Sequence, residues 1–234
     1  ETGLLATVFT PPDLVEERTY MLVPIQARAW AKAAGIPAPP SAYDTVQKPA
    51  VLPNAHISTP VLFADERGLI EIRGSATGPG FVSFRLEYGQ GLYPQAWTQI
   101  GADNNTPVVE KTLAEWDTTG LNGLYALRLM VVRTDQRVDQ AVLQVTLDNT
   151  PPQVAITYPQ PGQAINAAQE AQVLLQAQVN DPFLARVEFF VDELSVGEVN
   201  NAPFGVLWQA EAGEHTLRVA ATDQAGNSTE TKIE

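Results

Sequence analysis

The two histidines, His56 and His215, are the residues best suited to proton transfer near neutral pH. A hydrolytic triad would place one of them beside a serine nucleophile, with a carboxylate to orient the ring. His56 stands in a linker-like segment, and His215 stands where a strand is predicted to begin. A histidine at that place is either a ligand or pH sensor, or it packs at a corner of the fold and bonds backbone. We predict no catalytic residue and no cofactor.

Acidic and amide side chains in predicted loops could supply oxygen ligands to a hard cation such as calcium. They are Asp148, Asn149, Asp181 and Asp223. Calcium takes six to eight oxygen ligands, and the sequence has no spaced ligand loop like that of an EF-hand. The same residue types also form Asx turns without any metal. We therefore assign no metal ligand from the sequence, and calcium at the domain junction stays an open alternative.

Three aromatic residues, Tyr88, Tyr93 and Trp97, form the candidate binding surface. The segment between them is rich in glycine and polar residues, which predicts an exposed, flexible loop. Aromatic rings beside polar turns can stack on sugar faces, and this would suit glycan strands. In the alternative interpretation, Tyr88 and Trp97 face the core across a hairpin and bind nothing.

The chain is strongly acidic, with a formal net charge of −13 at pH 7. Residues 150–234 hold 11 acidic and 3 basic residues, so most of the excess lies there. This charge repels phosphate backbones and argues against nucleic acid as a partner. The absence of cysteine excludes disulfides and thiolate metal sites. No apolar run is long enough to span a membrane, and no signal-peptide pattern opens the sequence, so we expect a mature or excised piece.

A repeated pattern, Gly-x-(Tyr/His)-x-Leu-Arg-(Leu/Val), occurs at residues 123–129 and again at 213–219. Each copy follows a turn signal and then alternates apolar and polar residues, which is typical of a half-buried strand. The 18 prolines and 16 glycines also fit a turn-rich β protein. We predict an all-β fold with two tandem β-sandwiches at 57–148 and 151–234, joined by a stiff Pro151-Pro152 hinge.

About seven strands are expected in each sandwich. In the first they cover 57–63, 69–72, 81–88, 97–100, 113–116, 124–133 and 141–147. In the second they cover 154–158, 171–180, 185–191, 194–200, 204–209, 215–222 and 228–233. Hairpin turns are expected at 134–137, at Asp192-Glu193 and at the polar turn 223–227. The predicted core contains Trp116, Tyr125, Leu127, Leu129, Phe189, Trp208, Leu217 and Val219.

Residues 1–56 read as a tail or linker segment rather than an independent domain. Pro24 suits the first position of a helix and Gly35 suits its end, which predicts a helix near 24–34. Because a helix of about eleven residues is marginal alone, we expect Trp30 and Ile25 to dock onto another part of the structure.

Two stretches carry a resemblance to known β modules. The run Phe84–Ile100, with Leu113–Leu129 after it, resembles a fibronectin- or immunoglobulin-like module of bacterial surface proteins. Residues 150–234, including Val187–Asp192 and Thr222–Asn227, are similar to a bacterial immunoglobulin-like domain. The resemblance implies export and a sandwich fold, but not a particular function, because such modules accompany proteases, glycosidases and wall enzymes.

The first part of the chain resembles the tail after the transpeptidase domain of class A penicillin-binding proteins. The residues concerned are Thr2–Tyr20, Ala29-Trp30, Gly35-Ile36-Pro37 and Tyr43-Asp44. That family synthesises peptidoglycan, but its Ser-x-x-Lys, Ser-x-Asn and Lys-Thr-Gly motifs do not occur in this sequence. The resemblance thus implies a non-catalytic extension, whose catalytic domains would lie before Glu1.

Two classes of function follow from these observations. In the first, the chain is an extracytoplasmic spacer, docking or wall-binding module of a penicillin-binding protein, with peptidoglycan or cell-wall proteins as partners. In the second, it is an accessory adhesion or spacer module of an unrelated bacterial surface protein, such as a protease or glycosidase. Neither class needs a membrane-inserted segment within these residues.

Overall fold

The computed structural model describes residues 4–7, 10, 15–43, 52–166 and 171–234. By its internal contacts the chain divides into two compact units, Glu1–Val51 and Leu52–Glu234. The second unit is built almost wholly of strands and contains two sandwiches in tandem. This architecture confirms the all-β fold class expected from the alternating apolar pattern.

The first unit contains the short helix that the sequence predicts. A 3₁₀ turn at Ile25–Ala27 leads into α1, Arg28–Ala33. The helix ends where Gly35 takes a φ of +70°, which glycine adopts without strain, and the N–H of Ile36 bonds the carbonyl of Ala31. No helix among the described residues is long and apolar enough to cross a membrane.

The packing expected for this helix is absent from the described residues of the first unit. Among the helix residues Ala31 is buried, whereas Trp30 and the preceding Ile25 are both exposed. The predicted docking of these two side chains therefore has no counterpart within that unit. Their exposure leaves an apolar surface uncovered.

The first sandwich consists of a three-stranded and a five-stranded sheet. Its strands are β1 (Ala55–Thr59), β2 (Asp65–Glu66), β3 (Leu69–Ala76), β4 (Phe81–Gln90), β5 (Thr98–Asn104), β6 (Val108–Asp117), β7 (Gly123–Arg133) and β8 (Val138–Leu147). The sheet orders are β1-β3-β6 and β2-β8-β7-β4-β5. All pairings are antiparallel except that of β2 with β8, which is parallel.

The core of the first sandwich lies between these sheets. Alternate residues of β7 point into it, which buries Tyr125, Leu127, Leu129 and Val131. Trp116 of β6 meets them from the opposite sheet, with its ring centroid 6.4 Å from that of Tyr125. The alternation that predicted a half-buried strand therefore corresponds to one buried face of β7.

The second sandwich has a three-stranded and a four-stranded sheet, all antiparallel. Its strands are β9 (Gln153–Tyr158), β10 (Gln172–Asn180), β11 (Leu184–Val191), β12 (Leu194–Val199), β13 (Gly205–Gln209), β14 (Leu217–Asp223) and β15 (Ser228–Ile233). The sheet orders are β13-β10-β9 and β12-β11-β14-β15. Phe189, Leu217 and Val219 are buried between them, and Trp208 is half-buried against the same core.

The hairpin turns were predicted from polar residues that accept positive φ. Asp192 and Glu193 have φ values of 47° and 67°, the geometry that matches the twist of a two-residue hairpin between β11 and β12. Gln136, in the predicted turn at 134–137, has a φ of 66°. Both turns thus lie where the sequence placed them.

Candidate functional site

The candidate site is centred on the linker between the sandwiches. This linker follows the end of β8 at Leu147 and precedes the start of β9 at Gln153. Asn149 fastens this linker to the first sandwich. Its Nδ2 donates to the carbonyls of Thr118 (2.9 Å) and Leu121 (2.7 Å), and its Oδ1 accepts from the N–H of Gly68 (2.8 Å). One amide side chain therefore joins two loops of the first sandwich to the linker.

Asn227 makes the matching connection from the second sandwich. It is buried in the turn between β14 and β15, and its Nδ2 donates to the carbonyl of Asp148 at 2.8 Å and to Oδ2 of Asp223 at 2.7 Å. Its Oδ1 faces the Nη1 of Arg67, which belongs to the first sandwich, at 3.4 Å. The two sandwiches are thus hydrogen-bonded to each other outside the covalent linker.

Three carboxylates gather beside this contact. Asp148, Asp181 and Asp223 each offer an oxygen, and these oxygens lie within 4.8 Å of one another. Asp148 and Asp223 are buried, whereas Asp181 is half-buried. The structure therefore brings together the three acids that the sequence singled out, and it places Asn149 in the neighbouring linker.

The charges of this cluster disturb one another. Burial raises the pKa of Asp181 above its ordinary value. The N–H of Phe183 donates a hydrogen bond to the carboxylate and lowers this pKa, whereas the neighbouring carboxylates of Asp223 and Asp148 raise it. Chemically, such a cluster can hold a proton on Asp181 or contribute oxygen ligands to a hard cation such as calcium. Both responses relieve the same repulsion.

Neutralising one of these acids is expected to stabilise the protein. Asp181→Asn keeps an oxygen for the N–H of Phe183 but removes a charge, so unfolding at pH 7.5 should require up to about 1 kcal/mol more free energy. Denaturant melts in the presence of EDTA measure this. Asp117→Asn is the control, because Asp117 also accepts a turn N–H, from Thr119 at 2.9 Å. Equal effects of both substitutions would contradict the prediction.

The same experiment has a defined pH dependence. Because the pKa of Asp181 is higher in the folded protein than its ordinary value of 3.8, the folded state binds a proton that the unfolded state has released. The contribution of Asp181 to stability therefore falls as the pH rises through its raised pKa. The advantage of Asp181→Asn should be full at pH 7.5 and should shrink as the pH approaches 3.8.

The three aromatic residues do not share one surface. Tyr88 is half-buried on the inner face of β4, with its ring centroid 4.9 Å from that of Trp116. Trp97 is half-buried and stacks with Arg128, whose guanidinium carbon lies 3.9 Å from the ring centroid. Arg128 also pairs with Glu87. Tyr93 is the most exposed of the three. Tyr88 thus serves packing, as the alternative interpretation expected, while Trp97 packs under an arginine.

The loop that carries Tyr93 and Trp97 lies against the sheet. A Cβ on Gly89 would approach Cβ of Pro94 to 2.3 Å and the carbonyl oxygen of Ala96 to 2.7 Å, so only glycine allows this contact. Nε2 of Gln144 also donates to the carbonyl of Leu92 at 3.3 Å. These contacts hold the loop to the sheet at Pro94, Ala96 and Leu92.

Both histidines pair with carboxylates instead of serines. Nδ1 of His215 lies 2.5 Å from Oδ2 of Asp192, and this contact raises the pKa of His215. The ring also packs edge-on against Trp208 and its Nε2 faces the carbonyl of Glu211. Nε2 of His56 lies 2.5 Å from Oε1 of Glu110. His215 therefore holds the β11–β12 hairpin to a neighbouring loop, close to the corner-packing interpretation.

Sequence reasoning missed Asn227 and Arg67. The signal available for Asn227 was its place in the polar turn 223–227, but a turn asparagine is usually bonded locally. Its contact with Asp148 spans 79 residues, which no local pattern reveals.

The second sandwich is similar in sequence to a known family of domains. Residues 152–219 match the bacterial Ig domain family. Comparison with curated protein sequences gives no significant match.

Solved structures provide more distant similarities. Fibronectin(III)-like modules of CbhA from Clostridium thermocellum share 22% identity, with 76% of this chain and 91% of that chain covered and a TM-score of 0.47. A bacterial ice-binding adhesin shares 13% identity over 80% and 64% of the two chains, with a TM-score of 0.35. Murine CEACAM1b shares 10% identity over 77% and 97%, with a TM-score of 0.39.

Proposed function

We propose that the chain is a non-catalytic, extracytoplasmic module of a bacterial cell-surface protein and acts as a spacer of fixed geometry. The hydrogen-bonded junction between the sandwiches carries this proposal. The bacterial Ig domain match over residues 152–219 supports the surface location, since such domains are generally exposed outside the cell. Adhesion through an attached partner is compatible with the same role.

The junction suits a spacer because it restrains the linker from both sides. Asn149 binds the linker to the first sandwich, and Asn227 binds the carbonyl of Asp148 from the second. Bending at residues 148–152 would break these bonds and expose the buried groups, which costs about 1–3 kcal/mol for each group left unpaired. These hydrogen bonds therefore hold the angle between the sandwiches within narrow limits against thermal motion.

A distance measurement between the sandwiches tests this proposal. The chain has no cysteine, so Val138→Cys and Leu194→Cys, both at exposed positions, allow two specific spin labels. Double electron–electron resonance should give one narrow distance distribution. A broad distribution, like that of two domains on a flexible linker, would overturn the spacer proposal.

The finer proposal is that the parent protein is a class A penicillin-binding protein. It is supported by the resemblance of residues 2–44 to the tail behind a transpeptidase domain. A Ser-x-x-Lys and Lys-Thr-Gly transpeptidase core elsewhere in the full-length protein would support it. A protease or glycosidase domain in that place would favour the unrelated surface protein instead.

Glycan contact is a second, separable proposal, and the exposure of Tyr93 favours it over contact through Tyr88. Tyr93→Ala should reduce retention of the chain on purified peptidoglycan, because it removes the accessible ring from the loop. Tyr88→Phe is the control, since that ring packs on Trp116. Equal retention of Tyr93→Ala and wild type, or retention of neither, would remove the sugar-binding idea.

A further inference from the structure

The first unit exposes an unusual amount of apolar surface. Met21, Leu22, Ile25 and Trp30 are between 65% and 86% exposed, although all four lie within ten residues. In folded proteins the large apolar side chains of so short a segment normally have some cover. This segment therefore has the character of a binding surface.

A groove opens among the same residues. It has a volume of about 810 Å³, within the range of ligand clefts. Its apolar wall comes from Met21, Leu22 and Val23 on one side and from the proline-rich run Ile36–Pro40 on the other. The prolines fix an extended backbone, so this wall does not need to be ordered by a ligand.

Among the described residues, Arg28 and Lys32 are the charged side chains that line the groove, and both are basic. Arg28 and Lys32 stand one helical turn apart on α1, and both contribute to the lining. Neither side chain has a hydrogen bond or ion pair with any residue that the structure describes. Nearby, Arg18 already pairs with Glu16 at 2.8 Å. The chain as a whole has 27 acidic and 14 basic residues and is therefore negatively charged. The groove, with its two unpaired basic side chains, has the opposite sign of charge.

We propose that this groove, residues 21–41, is a docking site for a peptide segment of a partner protein that carries apolar side chains and carboxylates. The apolar walls would bury the leucine-like side chains, while Arg28 and Lys32 would pair the carboxylates. This inference is independent of the spacer role, because it rests on the first unit alone.

The charges of the groove and of the whole chain also distinguish between the possible binding partners. A peptide with lysines would be repelled by Arg28 and Lys32. An anionic membrane would be attracted by these two cations but repelled by the net charge of −13. A second copy of the chain would bring that same net charge with it. A short acidic apolar peptide approaches Arg28 and Lys32 locally, so the net charge of the rest of the chain repels it less than it repels a membrane or a second copy.

Fluorescence polarisation with the full chain tests the proposal. The probes are labelled twelve-residue peptides of alternating leucine and glutamate, leucine and lysine, or serine and glutamate. Only the leucine–glutamate peptide should bind. Arg28→Glu with Lys32→Glu should weaken this binding about tenfold or more and allow the leucine–lysine peptide to bind instead. Lys111→Glu with Arg137→Glu, which makes the same change of net charge in the first sandwich, should have no effect.

The apolar wall is tested separately with Leu22→Ser, at a position exposed enough to tolerate the change without unfolding. This variant should weaken binding of both matched peptides, the glutamate peptide to the native chain and the lysine peptide to the reversed chain. Equal binding of all three peptides, or no change on charge reversal, would overturn the proposal. The proposal would also be overturned if the native chain formed a dimer that Leu22→Ser abolished. The same holds if the chain cosedimented with phosphatidylglycerol vesicles and bound no peptide. A flexible junction between the sandwiches would contradict the spacer proposal but would not change these peptide-binding results.

Discussion

Trp116→Ala is expected to lower the free energy of unfolding of the first sandwich by about 3–5 kcal/mol. Trp116 is only 2% exposed and packs against Tyr88 and Tyr125 in the centre of the core. Alanine would leave a cavity that the two surrounding sheets cannot close. Denaturant melts followed by circular dichroism measure the loss.

Two further substitutions make this result specific. Nε1 of Trp116 is buried and has no hydrogen-bond acceptor among the described residues, so Trp116→Phe removes an unsatisfied donor and should cost less than about 1.5 kcal/mol. Trp30→Ala, at an exposed position, should change stability by no more than about 0.5 kcal/mol. A loss below about 1 kcal/mol for Trp116→Ala would mean that the register of β6 is wrong.

Asn227→Ala should both destabilise the chain and loosen the junction. The substitution leaves the carbonyl of Asp148 and a carboxylate oxygen of Asp223 without their donor, which costs about 1–3 kcal/mol for each buried group. Because the bond to the carbonyl of Asp148 joins the second sandwich to the linker after β8, the spin-label distance distribution should broaden in the same variant. The two effects together distinguish a junction residue from an ordinary core residue.

Two further asparagine substitutions serve as comparisons for Asn227→Ala. Asn227→Asp should be at least as harmful as alanine, since it adds a carboxylate beside Asp223 and its neighbours. Asn104→Ala removes a turn acceptor for the N–H of Thr106 in the first sandwich and should leave the distance distribution narrow. If Asn227→Ala keeps the wild-type distribution, the linker itself sets the geometry and the hydrogen bonds do not.

Sequence patterns predicted most of the fold because antiparallel strands with one buried face alternate visibly. β7 was expected at 124–133 and occupies Gly123–Arg133, and the Asp192-Glu193 hairpin lies as expected. β2 was missed, because two residues, Asp65 and Glu66, are too few to alternate. Its pairing partner in β8 is far along the chain, so only the assembled sheet reveals the strand.

The site was predictable only in its local parts. Loop acids are visible as turn formers, so Asp148, Asp181 and Asp223 could be selected from the sequence. Their meeting within 4.8 Å depends on how one sandwich sits on the other, which no periodicity encodes. The stiffness of the junction was attributed to Pro151-Pro152, whereas the hydrogen bonds of Asn149 and Asn227 provide an additional restraint.

The parallel pairing of β2 with β8 has a mechanical consequence. β2 lies near the start of the first sandwich and β8 at its end, and backbone bonds join Phe63 to Gln144 (2.7 Å), Thr146 to Ala64 (2.9 Å) and Asp148 to Glu66 (3.0 Å). When tension pulls the two ends of this sandwich apart, parallel strands slide past each other, and these bonds are loaded together in shear instead of opening one by one. Rupture then requires several bonds to fail at once, which slows forced unfolding. Under tension along the chain, the first sandwich would therefore resist extension at the point where the load enters the linker.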